Sequence, residues 1–241
     1  AIILAGAMVE PNNNHDIKKM YNSNVRSCLN IGDWAIKRDI PVIYISGAIV
    51  YADILKEMQT EKAPRGWHGY GGFYGFSKLL GEDILFRLKE QGLKISILRP
   101  TSIYGLGMPS ESLVSSFFSK ASSGEVIEIS NPIEDKVDLI HASDVANAVK
   151  LVIKKQMWDV FNLSSENPIS IKSISEKCFL ANNSKENIKI SGEVPQNYSS
   201  QVKYSLDCSH ARANLEWKPK IDFMTGLKLM QNKELIIENK K

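Results

Sequence analysis

The feature that most constrains the fold is an alternation of short β-branched apolar runs with amphipathic helical segments. The run Val42–Ser46 is apolar and β-branched, which is typical of a central strand in a parallel sheet. A second run, Lys94–Leu98, follows a segment over Tyr74–Gln91 whose leucines and isoleucines recur at helical spacing and which Gly92 ends. Strands that alternate with helices predict an α/β fold with a doubly wound parallel sheet.

The other segments continue this alternation in both directions along the chain. A short buried strand opens the sequence at residues 1–4, and a long helix is expected over His15–Arg38. The later elements are predicted as a helix over 112–122, a strand over 126–129, a helix over 143–154 capped by Ser143, a strand over 160–163, a helix over 170–180, a loop over 188–199, an edge strand over 202–205, and helices over 206–215 and 222–238.

Composition excludes several classes of partner. Lys and Arg total 30 against 27 acidic residues, a net charge of +3, which is too mild to indicate a nucleic-acid-binding protein. No apolar stretch approaches the ~20 residues that span a bilayer. The three cysteines, Cys28, Cys178 and Cys208, are odd in number and widely spaced, so we expect a reducing, cytoplasmic setting without disulfides and no metal site.

The pair Tyr74 and Lys78 is the strongest candidate for chemistry. Residues four apart on a helix face the same side, and these two stand at the start of the predicted amphipathic helix. An ammonium near a phenol favours the phenolate, so the spacing predicts a Tyr74 pKa lowered from the usual value of about 10. Tyr74 is therefore a candidate general acid/base. A surface pair without function is the alternative.

The order of landmarks resembles the NAD-dependent epimerase/dehydratase family, the extended short-chain dehydrogenase/reductases. The resemblance covers nearly the whole chain, and the motifs that carry it are Leu4-Ala5-Gly6, Asn24-Val25, the strand Val42–Ser46, the pair Tyr74 and Lys78, the run Leu98–Gly105, the later signature Asp138–His141 with Asp144, and Phe161-Asn162-Leu163. The resemblance implies a Rossmann-like sheet, a bound NAD or NADP and a nucleotide-sugar substrate.

The family also assigns roles to particular residues. It implies that Lys78 holds the nicotinamide ribose and that Asn24 contributes near the cofactor. Ala5 and Gly6 end a strand where a dinucleotide approaches the backbone. Pro100 and Thr101 are implied to contact the nicotinamide, and Ser102 to begin the substrate pocket, since ligands of open α/β sheets bind at the carboxyl ends of the strands. His141 is expected to be a structural core residue.

Two positions depart from the family pattern. The second residue of the active-site loop, usually Ser or Thr, is Gly47. Ser46 stands one place earlier, so on an extended strand its side chain is expected to point to the other face. Ser46 nevertheless remains a candidate for catalysis and cofactor contact, because it, Thr101 or a water could replace the missing hydroxyl. Val137 stands where sugar-nucleotide enzymes often carry an Arg.

The front of the chain lacks the family's first two βα units. No glycine-rich strand–turn–helix that would bind a pyrophosphate stands there, so we expect a fragment of a larger protein, with a genuinely shortened chain as the alternative. The expected division is a partial NAD(P)-binding domain over 1–165, with a substrate-lobe insertion at about 105–125, and a mainly substrate-binding lobe over 166–241.

The leading functional hypothesis is an NAD(P)-dependent sugar-nucleotide epimerase or reductase with Tyr74 as general acid/base. Family dehydratases often carry Asp-Glu where this chain has Ala48-Ile49, which argues against a dehydratase. The alternatives are a dinucleotide-binding sensor or scaffold that does no chemistry, which Gly47 motivates, and an inert fragment. By analogy a homodimer is one option, through the helices over 15–38 and 74–91.

Overall fold

The computed structural model describes residues 1–9, 16–69, 71–194, 198 and 201–232. Its strands are β1 (Ile2–Leu4), β2 (Val42–Ile45), β3 (Ile95–Pro100), β4 (Ser102–Tyr104), β5 (Ile127–Ser130), β6 (Lys136–Val137), β7 (Leu139–His141), β8 (Val160–Leu163), β9 (Ile169–Ser170), β10 (Ile188–Ser191) and β11 (Val202–Lys203). Its α-helices are α1 (Ile17–Tyr21), α2 (Ser27–Ile36), α3 (Gly72–Glu90), α4 (Leu113–Ser123), α5 (Ala142–Lys155), α6 (Ile171–Ala181), α7 (Ser209–Leu215) and α8 (Phe223–Gln231).

The main sheet has the order β1-β2-β3-β8, and all of its pairs are parallel. Its side chains alternate between two cores. Val42 and Tyr44 pack with α2 and α3 on one face, whereas Ile43 packs with α5 and α7 on the other. This period of two is the consequence of a pleated strand buried on both faces. The doubly wound α/β fold predicted from the sequence is confirmed.

A second hydrophobic cluster lies outside the main sheet. It combines α4, α6 and α8 with β5 and β7, and its buried members include Phe117, Ile127, Ile174 and Leu227. Three small pairings surround it: β5 with β10, β6 with β9 and β11, and β4 with β7. The segment predicted as an insertion at about 105–125 thus packs with C-terminal helices, although the domain division itself stays a prediction.

Several elements differ from the sequence predictions. Residues 188–191, expected in a loop, form β10, because Ile188 and Ile190 pair in parallel with β5 and complete its edge. The N-cap of α5 is His141 instead of Ser143, since the His141 ring nitrogen accepts the Ser143 N–H at 3.2 Å. The long first helix is interrupted by a π-helical turn over Asn22–Arg26. His15 and the predicted helix beyond residue 232 lie outside the described residues.

Candidate active site

Helix α3 carries Tyr74 in its first turn and Lys78 one turn later. The helix begins after Gly71, whose φ of +74° is in the left-handed region, a conformation that favours glycine. A Cβ at Gly71 would also stand 2.4 Å from Ile49 Cδ1. The glycine therefore lets the start of α3 close onto the loop that follows β2.

Tyr74 lines a cavity of about 330 Å³ at the carboxyl ends of β2 and β3, here called the Tyr74 cavity. Its walls come from the loop after β2, from the turn after β3 and from the C-terminal part of the chain. The predicted site residues that it brings together are Ser46, Tyr74, Pro100, Thr101 and Ser102. Residues at the ends of neighbouring parallel strands meet at one edge of the sheet, which is where ligands of such folds bind.

Lys78 is buried and does not line this cavity, and its ammonium lies near two aromatic rings. Its Nζ donates a hydrogen bond of 2.7 Å to the Ile45 carbonyl oxygen at the end of β2. The same Nζ lies 4.9 Å from the centre of the Tyr44 ring and 5.8 Å from that of Tyr74. Burial lowers the pKa of Lys78 to about 8, although the charges of Cys28 and Glu82 act in the opposite direction. The ammonium is thus held at a defined place by a carbonyl and by ring faces.

The pKa of Tyr74 shifts in the direction opposite to the sequence prediction. Burial raises it above its usual value, because the phenolate loses hydration in this half-buried position. The Lys78 ammonium donates its hydrogen bond to the Ile45 carbonyl oxygen. The predicted lowering of the Tyr74 pKa is therefore wrong for the protein without ligands, and its phenol is protonated at neutral pH.

Ser46 and Gly47 both line the Tyr74 cavity, and the expectation that the Ser46 side chain points to the other face stays a prediction. Strand β2 ends at Ile45 and the chain turns into a short 3₁₀ segment over Ala48–Val50, so the strict alternation of a strand no longer applies. Ser46 is 4% exposed, and its Oγ has no hydrogen-bond partner among the described residues. A buried hydroxyl without a partner is costly.

Thr101 is fixed by a buried acidic residue. Its Oγ1 donates to Asp138 Oδ1 at 2.9 Å, and Asp138 also accepts from Ser164 Oγ at 2.7 Å and from the Ser165 N–H at 2.9 Å. The Thr101 N–H donates to the Leu163 carbonyl. The proton of the Thr101 hydroxyl is thus committed to Asp138.

Asn24 lies in the π-helical turn and is buried beside the cavity. Its Oδ1 accepts the Met8 N–H at 2.7 Å, and its Nδ2 donates to the Met8 carbonyl at 2.9 Å and to Ser77 Oγ at 3.0 Å. Asn24 thus joins the loop after β1 to the helix that carries Tyr74. The structure gives it a positioning role and does not place it in the cavity wall.

Ala5 and Gly6 lie apart from the Tyr74 cavity. Both are exposed after β1, and Gly6 lines a separate surface groove of about 590 Å³ together with Met8, Lys19 and Ser23. A Cβ at Gly6 would meet no atom within 4 Å. The predicted cofactor residues therefore divide between two regions, one at the end of β1 and one at the ends of β2 and β3.

The sequence analysis missed several residues of the site. Tyr204 and Met108 line the Tyr74 cavity, and no local motif marks either of them. Asp138 was noted only as part of a signature, and its hydrogen bond to Thr101 depends on the fold. His141 is buried with its ring 5.2 Å from that of Tyr104, which agrees with a structural role.

The described part of the chain offers neither a metal site nor a membrane-spanning helix. It contains no cluster of three or more His, Cys, Asp or Glu side chains arranged to hold a metal ion. Within the same residues, no helix combines the length and the apolar character needed to cross a bilayer.

Comparison with known proteins places this geometry in context. Residues 1–164 match the NAD dependent epimerase/dehydratase family. A dTDP-4-dehydro-6-deoxyglucose reductase from Escherichia coli is 30% identical over 159 residues, which is 64% of this chain and 49% of that protein. UDP-glucuronic acid decarboxylase 6 from Arabidopsis thaliana is 23% identical over 218 residues, or 88% of this chain and 63% of that protein. The chain thus spans about half to three fifths of the length of these relatives.

Solved structures show the same fold. A dTDP-glucose 4,6-dehydratase from Bacillus anthracis, in complex with NAD, superposes with a TM-score of 0.79 at 18% identity over 96% of this chain and 71% of that one. A UDP-N-acetylglucosamine 4-epimerase from Bacillus cereus gives 0.78 at 21% identity over 95% and 77%. At these identities the likeness shows the fold alone.

Proposed function

The chain belongs to the NAD dependent epimerase/dehydratase family, and on that basis we propose that it acts on a nucleotide sugar by hydride transfer at a carbinol or keto carbon. The observation that carries the proposal is the meeting of Tyr74, Ser46, Thr101 and Pro100 in one cavity, with the Lys78 ammonium 5.8 Å from the centre of the Tyr74 ring. A phenol, a hydroxyl and an ammonium at the carboxyl edge of a parallel sheet can position a substrate oxygen and exchange a proton with it.

The residues present fit a nicotinamide cofactor. When bound, NAD(P) supplies or accepts the hydride. Lys78 has three donors and uses one of them on the Ile45 carbonyl, which leaves two for ribose hydroxyls. The Ser46 hydroxyl is buried without a partner among the described residues, so a rotation of its side chain would be needed to bring it to a ligand in the same cavity. The open backbone at Gly6 would let a dinucleotide approach the end of β1.

Tyr74 would act as general acid in the reductive direction. Because burial raises its pKa, the phenol holds a proton that its Oη can give to the substrate oxygen while the carbon receives hydride. In the oxidative direction the same oxygen, as phenolate, would take the proton from a carbinol, and the nearby Lys78 ammonium would stabilise that charge.

The loop after β2 favours an epimerase or a reductase over a dehydratase. A dehydratase needs a further acid/base pair beside the reacting carbon, and the two residues that follow Gly47 in the cavity wall are Ala48 and Ile49. Among the relatives, the E. coli protein is named a reductase of a 4-dehydro-6-deoxy sugar nucleotide and the Arabidopsis protein a UDP-glucuronic acid decarboxylase.

The packing of the C-terminal helices is consistent with a substrate-binding lobe. The packing of α4 against α6, and of α6 against α8, supports a substrate lobe built from about 105–125 and the chain after 165. Tyr204 brings that part of the chain to the Tyr74 cavity. A cytoplasmic location and a homodimer through the helices over 15–38 and 74–91 remain predictions.

The test is turnover by the full-length protein. NADH or NADPH oxidation would be followed with keto nucleotide sugars, and epimerisation with their carbinol forms. Tyr74→Phe removes only the hydroxyl and is expected to lower kcat about 10²–10⁴-fold while cofactor binding by fluorescence is retained. Tight cofactor binding with no turnover of any substrate, and no effect of Tyr74→Phe, would instead identify a sensor or scaffold.

A further inference from the structure

Helix α3 has a buried glycine in its interior, Gly81, three residues after Lys78 and therefore on the same side of the helix. Glycine inside a helix is less favourable than alanine, so packing must account for its presence. A Cβ at position 81 would stand 2.7 Å from Tyr44 Oη and 3.1 Å from Cys28 Sγ. The missing side chain thus leaves the space that the phenol of Tyr44 occupies.

The ring of Tyr44 contacts the Lys78 ammonium from this position. Lys78 Nζ lies over the ring, 4.9 Å from its centre, within the distance at which an aromatic face attracts an ammonium. The Tyr44 hydroxyl is buried and has no hydrogen-bond partner among the described residues. Burial raises the pKa of Tyr44 well above its usual range, so the phenol stays neutral. The contact therefore involves the ring face, and neither the hydroxyl nor a phenolate.

We infer that Gly81 and Tyr44 are positioning residues that act through Lys78. The glycine makes room for the phenol, and the ring face then fixes the ammonium. Because Nζ also donates to the Ile45 carbonyl oxygen at 2.7 Å, two consecutive residues of β2 set the direction in which the remaining donors point. The inference rests on the proposed function, in which those donors bind the ribose of the cofactor.

The titratable groups that surround the Lys78 ammonium come from three elements. Tyr74 and Glu82 belong to α3, Cys28 to α2 and Tyr44 to β2. An aromatic face stabilises an ammonium more than it stabilises the neutral amine. Removing the ring while the other groups stay is therefore expected to lower the pKa of Lys78 below its value of about 8, by about 0.5–1 pH unit.

The experiment follows NAD(P)H binding to the full-length protein by fluorescence. Gly81→Ala displaces the phenol and is expected to weaken binding about tenfold, the equivalent of one hydrogen bond to a charged group. Adding Tyr44→Phe to Gly81→Ala removes the oxygen atom that the new Cβ would meet, keeps the ring, and is expected to restore most of the affinity. Tyr44→Leu fills the space with apolar atoms but offers no ring face, so it is expected to weaken binding as Gly81→Ala does.

A second readout needs no cofactor. The pKa of Lys78 is obtained from the pH dependence of the free energy of unfolding, with Lys78→Met in each background as the reference. Tyr44→Leu is expected to lower this pKa, and Tyr44→Phe is expected to leave it unchanged. A residue that only fills space would not move the titration of a neighbouring ammonium in this pattern.

Gly32→Ala is the matched control. Gly32 is a buried glycine of α2 that also faces α3, and a Cβ there would stand 2.4 Å from Leu88 Cδ1. This variant is expected to change the stability of the protein, while NAD(P)H binding and the titration of Lys78 stay as in the wild type. An equal loss of binding in Gly32→Ala and Gly81→Ala would assign the effect to the packing of α2 on α3 and overturn the inference.

The other outcomes separate the inference from the function on which it rests. Unchanged NAD(P)H binding in Gly81→Ala, no recovery on adding Tyr44→Phe, or an unchanged or higher Lys78 pKa in Tyr44→Leu would each overturn the inference. If the wild-type protein binds no NAD(P)H, the proposed function fails, and the titration of Lys78 still decides whether the ring holds the ammonium. If Tyr44→Leu does not fold, Gly81→Ala with and without Tyr44→Phe decides the question.

Discussion

Asn24 Nδ2 donates a hydrogen bond of 3.0 Å to Ser77 Oγ, and Ser77 Oγ in turn donates 2.7 Å to the Tyr74 carbonyl oxygen. This short chain connects the π-helical turn to the backbone of the candidate catalytic residue. Because Asn24 also holds both backbone groups of Met8, one amide side chain fixes the loop after β1 relative to α3. A helix that carries a general acid benefits from such support, since small displacements of a catalytic group are costly.

Replacing Asn24 by Ala is expected to destabilise the fold by about 1–3 kcal/mol, because it removes the hydrogen bonds of a buried amide to the partly buried Met8 backbone groups and to Ser77 Oγ. Urea unfolding at pH 7 measures the change. Asn22→Ala is the control, since Asn22 is exposed in the same π-helical turn. Equal destabilisation by the two variants would mean that any substitution in the π-helical turn lowers stability, and that the hydrogen bonds of the Asn24 amide are not the cause.

Glu82→Gln is expected to cost about 3–5 kcal/mol, because it leaves the Arg99 charge buried without its anionic partner. Asp83→Asn is the matched control on the next residue. Asp83 has a half-exposed side chain and pairs with Arg65 at 2.9 Å, and such a pair contributes at most about 1 kcal/mol. Chemical denaturation measures the free energy of unfolding of both variants. A similar decrease in the two variants would contradict this prediction.

The lowered pKa of Lys78 leads to a specific dependence of the stability of the protein on pH. Burial lowers its pKa to about 8 from the usual 10.5, so between these values the unfolded chain binds a proton that the folded protein has lost. The free energy of unfolding is then expected to rise with pH from about 8 to 10.5, by up to about 3 kcal/mol.

The measurement is the difference between wild type and Lys78→Met in denaturant midpoint across this pH range, which removes the contributions of other groups. Lys89→Met takes a Lys from an exposed position of the same helix and serves as the control. The wild-type midpoint minus the Lys78→Met midpoint is expected to become more positive as the pH rises. A value that stays constant or becomes more negative would show that Lys78 is not desolvated as described.

Gly47→Ser is expected to be tolerated and to raise kcat. The backbone at Gly47 is extended, with φ of 177°, and a Cβ there would meet Ile49 Cγ2 at 3.7 Å and the Pro100 carbonyl oxygen at 3.9 Å, which are ordinary contacts. The added hydroxyl would stand beside Tyr74 in the cavity. Stability is expected to change by less than about 0.5 kcal/mol.

Thermal unfolding and steady-state kinetics test this prediction together. Gly71→Ser is the contrasting variant. Position 71 has a positive φ, and a Cβ there would stand only 2.4 Å from Ile49 Cδ1, so the backbone of this variant is expected to be strained. A folded Gly47→Ser protein with lower kcat would indicate that the native reaction uses the space above Gly47, with Ser46 as the hydroxyl.

Local patterns predicted the secondary structure well where one element has its own periodic signal. Val160–Leu163 was predicted at its observed bounds, and α3 agrees within a few residues. The strand at 188–191 was missed because it is short and lies on the edge of β5, so only its partner reveals it. The N-cap of α5 was misplaced by two residues because Ser and His can both accept a backbone N–H there.

The chain sequence by itself determined the doubly wound α/β fold and the placement of Tyr74 and Lys78 on one helix face, since periods of two and of 3.6 residues are properties of neighbouring positions. Only the tertiary structure decided what surrounds Tyr74. The Tyr74 cavity unites Ile49, Met108 and Tyr204 from distant parts of the chain, and the burial of Tyr74 in the folded chain raises its pKa. Desolvation depends on every atom that excludes water, and a spacing of four residues cannot specify it.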